Sequence, residues 1–214
     1  MAEMNDSFNE VTAEMLKVIS DYDSVTGFQG AYNIRQDSMC AGRKNSENIT
    51  IESKTDKPGI NIRVKPGTKG ETVYIPACVT HSNVDDLVYN DFFIGEGADV
   101  TIVAGCGVHS DGSETARHNG IHRFFLEKGA KVLYKEKHIG TGKGTGLRRI
   151  DPVTDAYLKE DSYLEMDTVQ LRGVDRTTRS TSAVLDKGAK IVVRERIMTD
   201  GDEDAVTKFK VELN

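Results

Sequence analysis

The chain has 214 residues, of which 37% are hydrophobic and 29% charged, a composition typical of one globular domain or two small ones. Its 28 basic and 34 acidic residues give a net charge of −6, which does not favour nucleic-acid binding. The apolar stretches are too short to cross a bilayer, the N-terminus lacks the pattern of a secretion signal, and three widely spaced cysteines favour a reducing compartment. We therefore expect a cytoplasmic protein without a membrane span.

The first predicted element is an amphipathic helix, which with a linker occupies residues 1–26. Ser7 and Glu10 match the S-x-x-E capping box, whose side chains satisfy free backbone donors at a helix start. We expect the helix to cover one end of the protein body with its apolar face. The residues that recur at spacings of three and four on that face are Phe8, Val11, Met15, Val18, Ile19 and Tyr22.

Residues 27–214 are predicted to form short strands, which are arranged in an internal repeat. The sequence FIGEGADV at residues 93–100 returns as FLEKGAKV at 125–132, YLKEDSYL at 157–164 and VLDKGAKI at 184–191. These copies start 32, 32 and 27 residues apart, and a weaker copy begins at Val64. Each copy combines a strand end, a tight turn and a second strand with alternating apolar residues.

This repeat predicts a parallel β-helix. Units of about 30 residues that cannot bury their own apolar face must stack on their neighbours. The apolar alternation has a period of two, which excludes helical repeats. Neither the four-strand unit of a propeller nor the six-residue pattern of a left-handed β-helix is present. We predict a mainly β protein whose N-terminal helix caps the unpaired strand edges of the first coil.

A cysteine–histidine pattern is the leading candidate for a metal site. Cys106, His109, His118 and His122 follow the spacing C-x2-H-x8-H-x3-H and include three of the five histidines of the chain. Thiolate and imidazole ligands suit zinc or iron, so these four residues are the predicted metal ligands. The alternative is a buried Cys106 with histidines that only make loop hydrogen bonds.

Other polar patterns predict no catalytic residue. The sequence GTGKGTG at residues 140–146 lacks the Ser or Thr that follows the lysine of a Walker loop, so we interpret it as a flexible loop. Glu136 and His138 could form an acid/base pair, but no third group is visible to orient the base. Cys78 lies in an apolar strand and is expected in the core.

Several motifs resemble the SufB/SufD family, or SufBD core, of the Suf iron–sulfur cluster assembly system. They extend from about Gly27 onward and are similar to a short SufD-like branch of bacteria and archaea. The matching stretches are GAYNIRQDS, VYIPACVTHS, VYNDFFIGEGADVTIVAGCGVHS, HNGIHRFF, YKEKHIGTGKGTGLRRIDP and LRGVDRTTRSTSAVL.

The resemblance implies a right-handed parallel β-helix that acts as a scaffold and is not itself the ATPase. The implied partners are a SufC-type ABC ATPase and a SufB/SufD-type partner or a second copy of the chain. A transient iron–sulfur cluster or iron is the implied cargo, with no other cofactor. Family members continue into a C-terminal helical segment that docks SufC, whereas this sequence ends in FKVELN at Asn214. We therefore expect this segment to be absent and transfer no functional residue from it.

Two further function classes remain open. A metal-binding β-helix protein or enzyme would use the cluster of Cys106, His109, His118 and His122 and would hold a metal ion. A pure interaction module would pair the strand edge at residues 206–213 with another copy, forming a dimer without metal.

Overall fold

The computed structural model describes residues 7–23 and 26–214. Its described part contains the helix α1 (Glu10–Ile19), and strands make up about 60% of the described residues. The strands are β1 (Ala31–Gln36), β2 (Met39–Lys44), β3 (Ile49–Ser53), β4 (Gly59–Val64), β5 (Lys69–Val79), β6 (Asp85–Ile94), β7 (Asp99–His109), β8 (Ala116–Leu126), β9 (Lys131–Thr141), β10 (Arg148–Ile150), β11 (Val153–Leu158), β12 (Tyr163–Gln170), β13 (Arg176–Leu185), β14 (Lys190–Ile197) and β15 (Asp204–Leu213).

From β4 onward the chain alternates between two sheets and so winds into a parallel β-solenoid of about 5 turns. One sheet has the order β2-β1-β5-β7-β9-β12-β14, and the other contains β3, β4, β6, β8, β11, β13 and β15, with β10 beside β8 and β13. The pairings are parallel except for β1 with β2 and β3 with β4. The predicted mainly β solenoid with an N-terminal helix is confirmed. Among the described residues, no helix is long and apolar enough to span a membrane.

The strand register confirms the internal repeat. Phe93 pairs with Phe125, Phe125 with Tyr157, and Tyr157 with Val184. The first residues of the four predicted copies therefore lie one above another on neighbouring coils.

The weaker copy is displaced by one residue from its predicted start. Arg63, and not Val64, pairs with Phe93, while Val64 pairs with Ile94. Val64 and Ile94 are both buried. Because successive side chains of a strand point to opposite faces, a start at Val64 would turn this apolar residue away from the core.

Helix α1 starts two residues later than the capping-box pattern predicts. Its N-cap is Asn9, whose Oδ1 accepts a hydrogen bond from the Thr12 backbone N at 2.9 Å. The prediction for Ser7 was wrong, because the Ser7 backbone N donates to the Ala41 carbonyl oxygen at 2.7 Å and so ties the preceding segment to β2.

The helix lies against the outer face of the sheet formed by β5, β7 and β9, and not across the strand edge of the first coil as expected. Gly105 and Gly107 make room for it: a Cβ on Gly105 would lie 2.5 Å from the Ile19 carbonyl oxygen, and one on Gly107 2.4 Å from Met15 Sδ. Cys78 is buried in the apolar cluster beneath the helix, as predicted.

The GTGKGTG segment is packed and does not form the flexible loop predicted for it. The Gly144 backbone N donates to the Ser110 carbonyl oxygen at 2.9 Å, on the corresponding loop of the preceding coil. A Cβ on Gly146 would come within 1.9 Å of the Glu114 carbonyl oxygen. Glycine is therefore needed here for the close stacking of two loops.

Candidate functional site

The interior of the solenoid changes from apolar to polar along each coil. Around the tight turns that follow β6, β8, β11 and β13, the inward side chains form one apolar cluster. On the opposite side of the coils, near the starts of β6, β8 and β13 and the ends of β9 and β12, inward positions carry polar groups that are just as buried. Because a buried charge costs free energy unless it is paired, we take this polar interior as the candidate site. Its residues include Asp86, Asn90, His118, His122, Glu136, His138, Thr168, Gln170 and Arg179.

Asp86 is the centre of the first ion-paired group. Its carboxylate accepts hydrogen bonds from Arg35 Nη2 at 2.6 Å, Arg35 Nε at 2.9 Å and His118 Nδ1 at 3.0 Å. Burial alone would raise the pKa of Asp86, but the hydrogen bonds and charges of His118 and Arg35 outweigh it and lower the pKa. Asp86 is therefore ionised and orients the His118 ring with Nδ1 as the donor.

Glu136 is the centre of the second group. It accepts a hydrogen bond from Tyr134 Oη at 2.8 Å and lies 3.3 Å from Arg179 Nη2. Arg179 also donates through Nε to Glu195 at 3.1 Å. Burial opposes ionisation of Glu136, yet His138 and Arg179 together lower its pKa. One guanidinium thus stabilises two carboxylates inside the solenoid.

The hydrogen bonds of the two neighbouring histidines assign their neutral tautomers. Arg179 Nη1 lies 3.0 Å from His138 Nδ1, and since a guanidinium only donates, the proton of the neutral His138 ring is on Nε2. Tyr134 Oη donates to Glu136 and so accepts from His122 Nδ1 at 2.7 Å. Burial lowers the pKa of His138, and that of His122 to about 4, so both rings are neutral near pH 7.

Cys106, Glu136 and His138 form a group that could hold a metal ion. One ligand atom from each lies within 4.8 Å of the other two, and all three side chains are buried. Cys106 on β7 pairs with His138 on β9, and Ala104 pairs with Glu136 in the same register. Burial raises the pKa of the Cys106 thiol well above its usual value, and the charge of Glu136 raises it further. A metal ion would therefore have to displace the thiol proton.

The donor set fits iron or zinc, which accept thiolate, imidazole and carboxylate ligands. Arg179 already supplies positive charge to Glu136 and donates to His138, so a cation would compete with this guanidinium. His138 Nε2 lies 3.3 Å from Glu136 Oε2 but makes no hydrogen bond of good geometry within the described part of the chain. Gln170 pairs with His138 on the next coil, and its two amide atoms also lack described hydrogen-bond partners. Because His138 carries its proton on Nε2, a metal ion would bind this ring only after displacing that proton or taking the place of Arg179 at Nδ1.

The four residues of the predicted metal site occupy different environments. Cys106 belongs to the group with Glu136 and His138, His118 is paired with Asp86, and His122 bonds to Tyr134. His109 Nδ1 lies 2.9 Å from Thr141 Oγ1 at the end of β7. Within residues 7–23 and 26–214, no metal-binding group unites all four predicted ligands.

The proximity of Cys106 to Glu136 and His138 was not predicted from the sequence. The predicted ligands lie close together along the chain, whereas neighbours in a solenoid are one coil apart. The 32-residue offset between repeat copies is also the offset between Cys106 and His138. Applied to Cys106, this offset would have identified His138.

No family model matches the chain. The chain is 27% identical over 201 residues to an iron–sulfur cluster assembly SufBD family protein of Archaeoglobus fulgidus, a match that covers 75% of the chain and 54% of that relative. Two SufBD family proteins of Methanothermobacter thermautotrophicus, from strains Winter and Delta H, are 32% and 30% identical over 89 residues, covering 41% of the chain and 21% of each relative. The chain thus spans about half the length, or less, of these curated relatives.

Proposed function

The chain belongs to the SufB/SufD family, and from this we propose that it is a scaffold component of iron–sulfur cluster assembly. It works with a SufC-type ABC ATPase and with a SufB/SufD-type partner or a second copy of itself. The similarity to iron–sulfur cluster assembly SufBD family proteins and the parallel β-solenoid support this proposal. The chain's own role is to hold cargo and partners.

The single observation that carries the proposal is the buried group of Cys106, Glu136 and His138 in a chain of this family. A thiol, a carboxylate and an imidazole suit iron as well as zinc. Iron or a nascent cluster is the cargo, and Cys106 binds it on losing its proton. Arg179 stabilises the charge of Glu136 while no cargo is bound. Release of cargo is favoured because the guanidinium and the thiol proton can replace it.

A metal-binding β-helix protein or enzyme is the second candidate, and the same three residues favour it. It differs from the scaffold in holding a resident metal. A scaffold gains iron together with sulfide and loses both to an acceptor protein. Metal analysis after incubation with an acceptor protein separates the two, because a scaffold loses its iron and sulfide to the acceptor whereas a resident ion stays bound.

A strand-edge interaction module is the third candidate. On β15, Val206, Phe209, Val211 and Leu213 are exposed, and the strand pairs with β13. This candidate predicts a dimer that forms without metal and dissociates on a charged substitution such as Phe209→Glu. In the scaffold proposal the same variant loses its SufB/SufD-type partner but still binds iron.

Co-expression with a SufC-type ATPase and a SufB/SufD-type partner tests the scaffold proposal. The full-length Archaeoglobus relative serves as the positive control. We expect affinity capture of this chain to retain at least one of the two proteins in a fixed ratio, and the complex to form a cluster from iron and sulfide. Capture of both proteins by the relative and of neither by this chain, with no cluster, would contradict the proposal.

A further inference from the structure

We propose that a cavity in the first coil binds the phosphate group of a small phosphate monoester. The cavity has a volume of about 230 Å³ and lies between β1, β2 and β5 of one sheet and β4 and β6 of the other. Its wall carries four cationic side chains, and none of its described lining residues is acidic. This is unexpected in a chain with a net charge of −6. The four cations are Arg35, Arg43, Lys54 and Lys57.

Two of these cations are already neutralised by buried carboxylates. Arg35 binds Asp86 with its guanidinium. The Lys54 ammonium lies 2.6 Å from Asp91 Oδ2, and only 6% of the Lys54 side chain is exposed. These pairs form part of the wall, and their cations are not available to neutralise a ligand.

The other two cations are not paired with a buried carboxylate. Arg43 donates to neutral oxygens, from Nε to Asn33 Oδ1 at 2.8 Å and from Nη1 to Ser53 Oγ at 3.0 Å. Lys57 is 3.9 Å from the exposed Asp56, and its ammonium lies 4.6 Å from the centre of the Tyr89 ring. Because the only carboxylate near them in the described part of the chain is the exposed Asp56 at the edge of the ion-pair range, these two positive charges complement a phosphate monoester, which carries a charge of about −1.5 to −2 at pH 7. A ligand with a single carboxylate would neutralise only one of these two positive charges.

Asn90 independently indicates a ligand. It lines the cavity and is buried, and its Oδ1 has no hydrogen-bond partner in the described structure. Its Nδ2 lies 3.4 Å from His122 Nε2, which leaves the carbonyl oxygen to accept a hydrogen bond. Buried polar groups normally have such a partner, and a hydroxyl on the ligand would supply it.

The size of the cavity restricts the ligand further. Pockets for drug-sized molecules have volumes of about 300–1,000 Å³, so this cavity suits a phosphate ester with a short hydroxylated chain. Glycerol 3-phosphate is the probe that combines both groups at this size. The apolar part of the wall, from Ile60, Ile75 and Val88, would contact the carbon chain.

Cys40 provides a direct readout because it also lines the cavity and is exposed, whereas Cys78 and Cys106 are buried. Its Sγ lies 3.5 Å from Asn33 Oδ1, the oxygen that Arg43 also contacts. The cations should concentrate the anionic reagent iodoacetate near this thiol but leave the neutral iodoacetamide unaffected. The ratio of the two alkylation rates at Cys40 therefore measures the local positive potential.

The test measures these rates by peptide mass spectrometry, with and without glycerol 3-phosphate, in wild type, Arg43→Gln, Lys57→Gln and the control Lys187→Gln on the turn between β13 and β14. We expect the iodoacetate-to-iodoacetamide ratio to fall about threefold or more in the two cavity variants, and the control to match wild type. Glycerol 3-phosphate should protect Cys40 in wild type and in the control only. Melting temperatures of all four proteins verify that they are folded.

Glycerol and inorganic phosphate are the comparison ligands. Glycerol should give no protection, and inorganic phosphate should protect more weakly than the ester. Equal protection by inorganic phosphate would overturn the hydroxyl contact with Asn90. Failure of glycerol 3-phosphate to protect Cys40, or protection that persists in Arg43→Gln and Lys57→Gln, would overturn the site itself.

Discussion

The two ends of the solenoid interior are equally buried but differ in how they change from coil to coil. Near the tight turns, Phe92 stacks on Phe124 with ring centres 4.5 Å apart. The next inward position along the strand is occupied by an apolar residue in each of the neighbouring coils, and these residues form an apolar ladder. Near the opposite end, the residues that pair from coil to coil differ in type: Ala104 pairs with Glu136, Glu136 with Thr168, and Thr168 with Glu195. The apolar ladder consists of Ile94, Leu126, Leu158 and Leu185.

This difference distinguishes the apolar residues that stabilise the fold from the polar residues that are candidates for a site. A solenoid is stable when each coil buries the same kind of apolar surface against the next. Buried ion pairs add little net stability, because desolvation offsets their attraction. We therefore interpret the polar residues, which change from coil to coil, as a candidate site on the coils of Cys106, Glu136 and His138.

The largest effect is expected in the apolar end. Phe124→Ala should lower the free energy of unfolding by about 3–5 kcal/mol, because it removes a fully buried ring from the stack and leaves a cavity. Chemical denaturation measures this loss, and iron binding by the folded fraction should be unchanged. A loss of iron binding in the folded protein would show that packing at the apolar end and iron binding at the polar end are not independent.

The second prediction concerns the guanidinium at the polar end. Arg179→Met should lower the free energy of unfolding by about 3 kcal/mol, because Glu136 and Glu195 lose their buried cation. A divalent metal ion should restore part of this loss, since it can take the place of the guanidinium. The control is Arg196→Gln, which breaks the exposed pair with Asp167 and should cost less than about 1 kcal/mol. Equal losses in the two variants would contradict a special role for Arg179.

The third prediction is a pH dependence that arises from the polar end. The folded-state pKa of His122 is lowered by burial from 6.5 to about 4. Between these values the unfolded chain binds a proton that the native state does not, so stability falls as the pH drops through this window, by up to about 3 kcal/mol. His138 shifts in the same direction.

Denaturation curves collected from pH 7 to about pH 4 test this sign. His122→Gln should reduce the slope without abolishing it, because His138 still contributes. A wild-type stability that stays constant over this window, or a slope that the substitution does not change, would argue against a neutral buried His122.

The sequence was sufficient to predict the solenoid because its signal is repeated in every coil. Phe93, Phe125, Tyr157 and Val184 occupy equivalent positions, and their spacing alone predicts their register. The helix was predictable from its apolar periodicity, but its position was not. That position depends on Gly105 and Gly107, whose role is visible only once the outer face of the sheet is known.

The candidate site was predicted less completely than the fold. Cys106 was proposed as a metal ligand because of its residue type and its nearby histidines, but its structural neighbours lie one coil away. The charges that set its chemistry come from Glu136 and from Arg179, which is on the opposite sheet. No local pattern encodes contacts between the two sheets, so the ion-pair network could not be derived from spacing along the chain.

The most direct test of the account is anaerobic reconstitution with ferrous iron and sulfide, followed by absorption spectra and metal analysis. Wild type, Cys106→Ala and Cys78→Ala are compared; Cys78 is also a buried cysteine, but it lies in the apolar cluster beneath α1. We predict a sulfide-to-iron charge-transfer band and bound iron in wild type and Cys78→Ala, and neither in Cys106→Ala. A band of equal strength in Cys106→Ala, or no band in any of the three proteins, would contradict the assignment of the polar interior as the site.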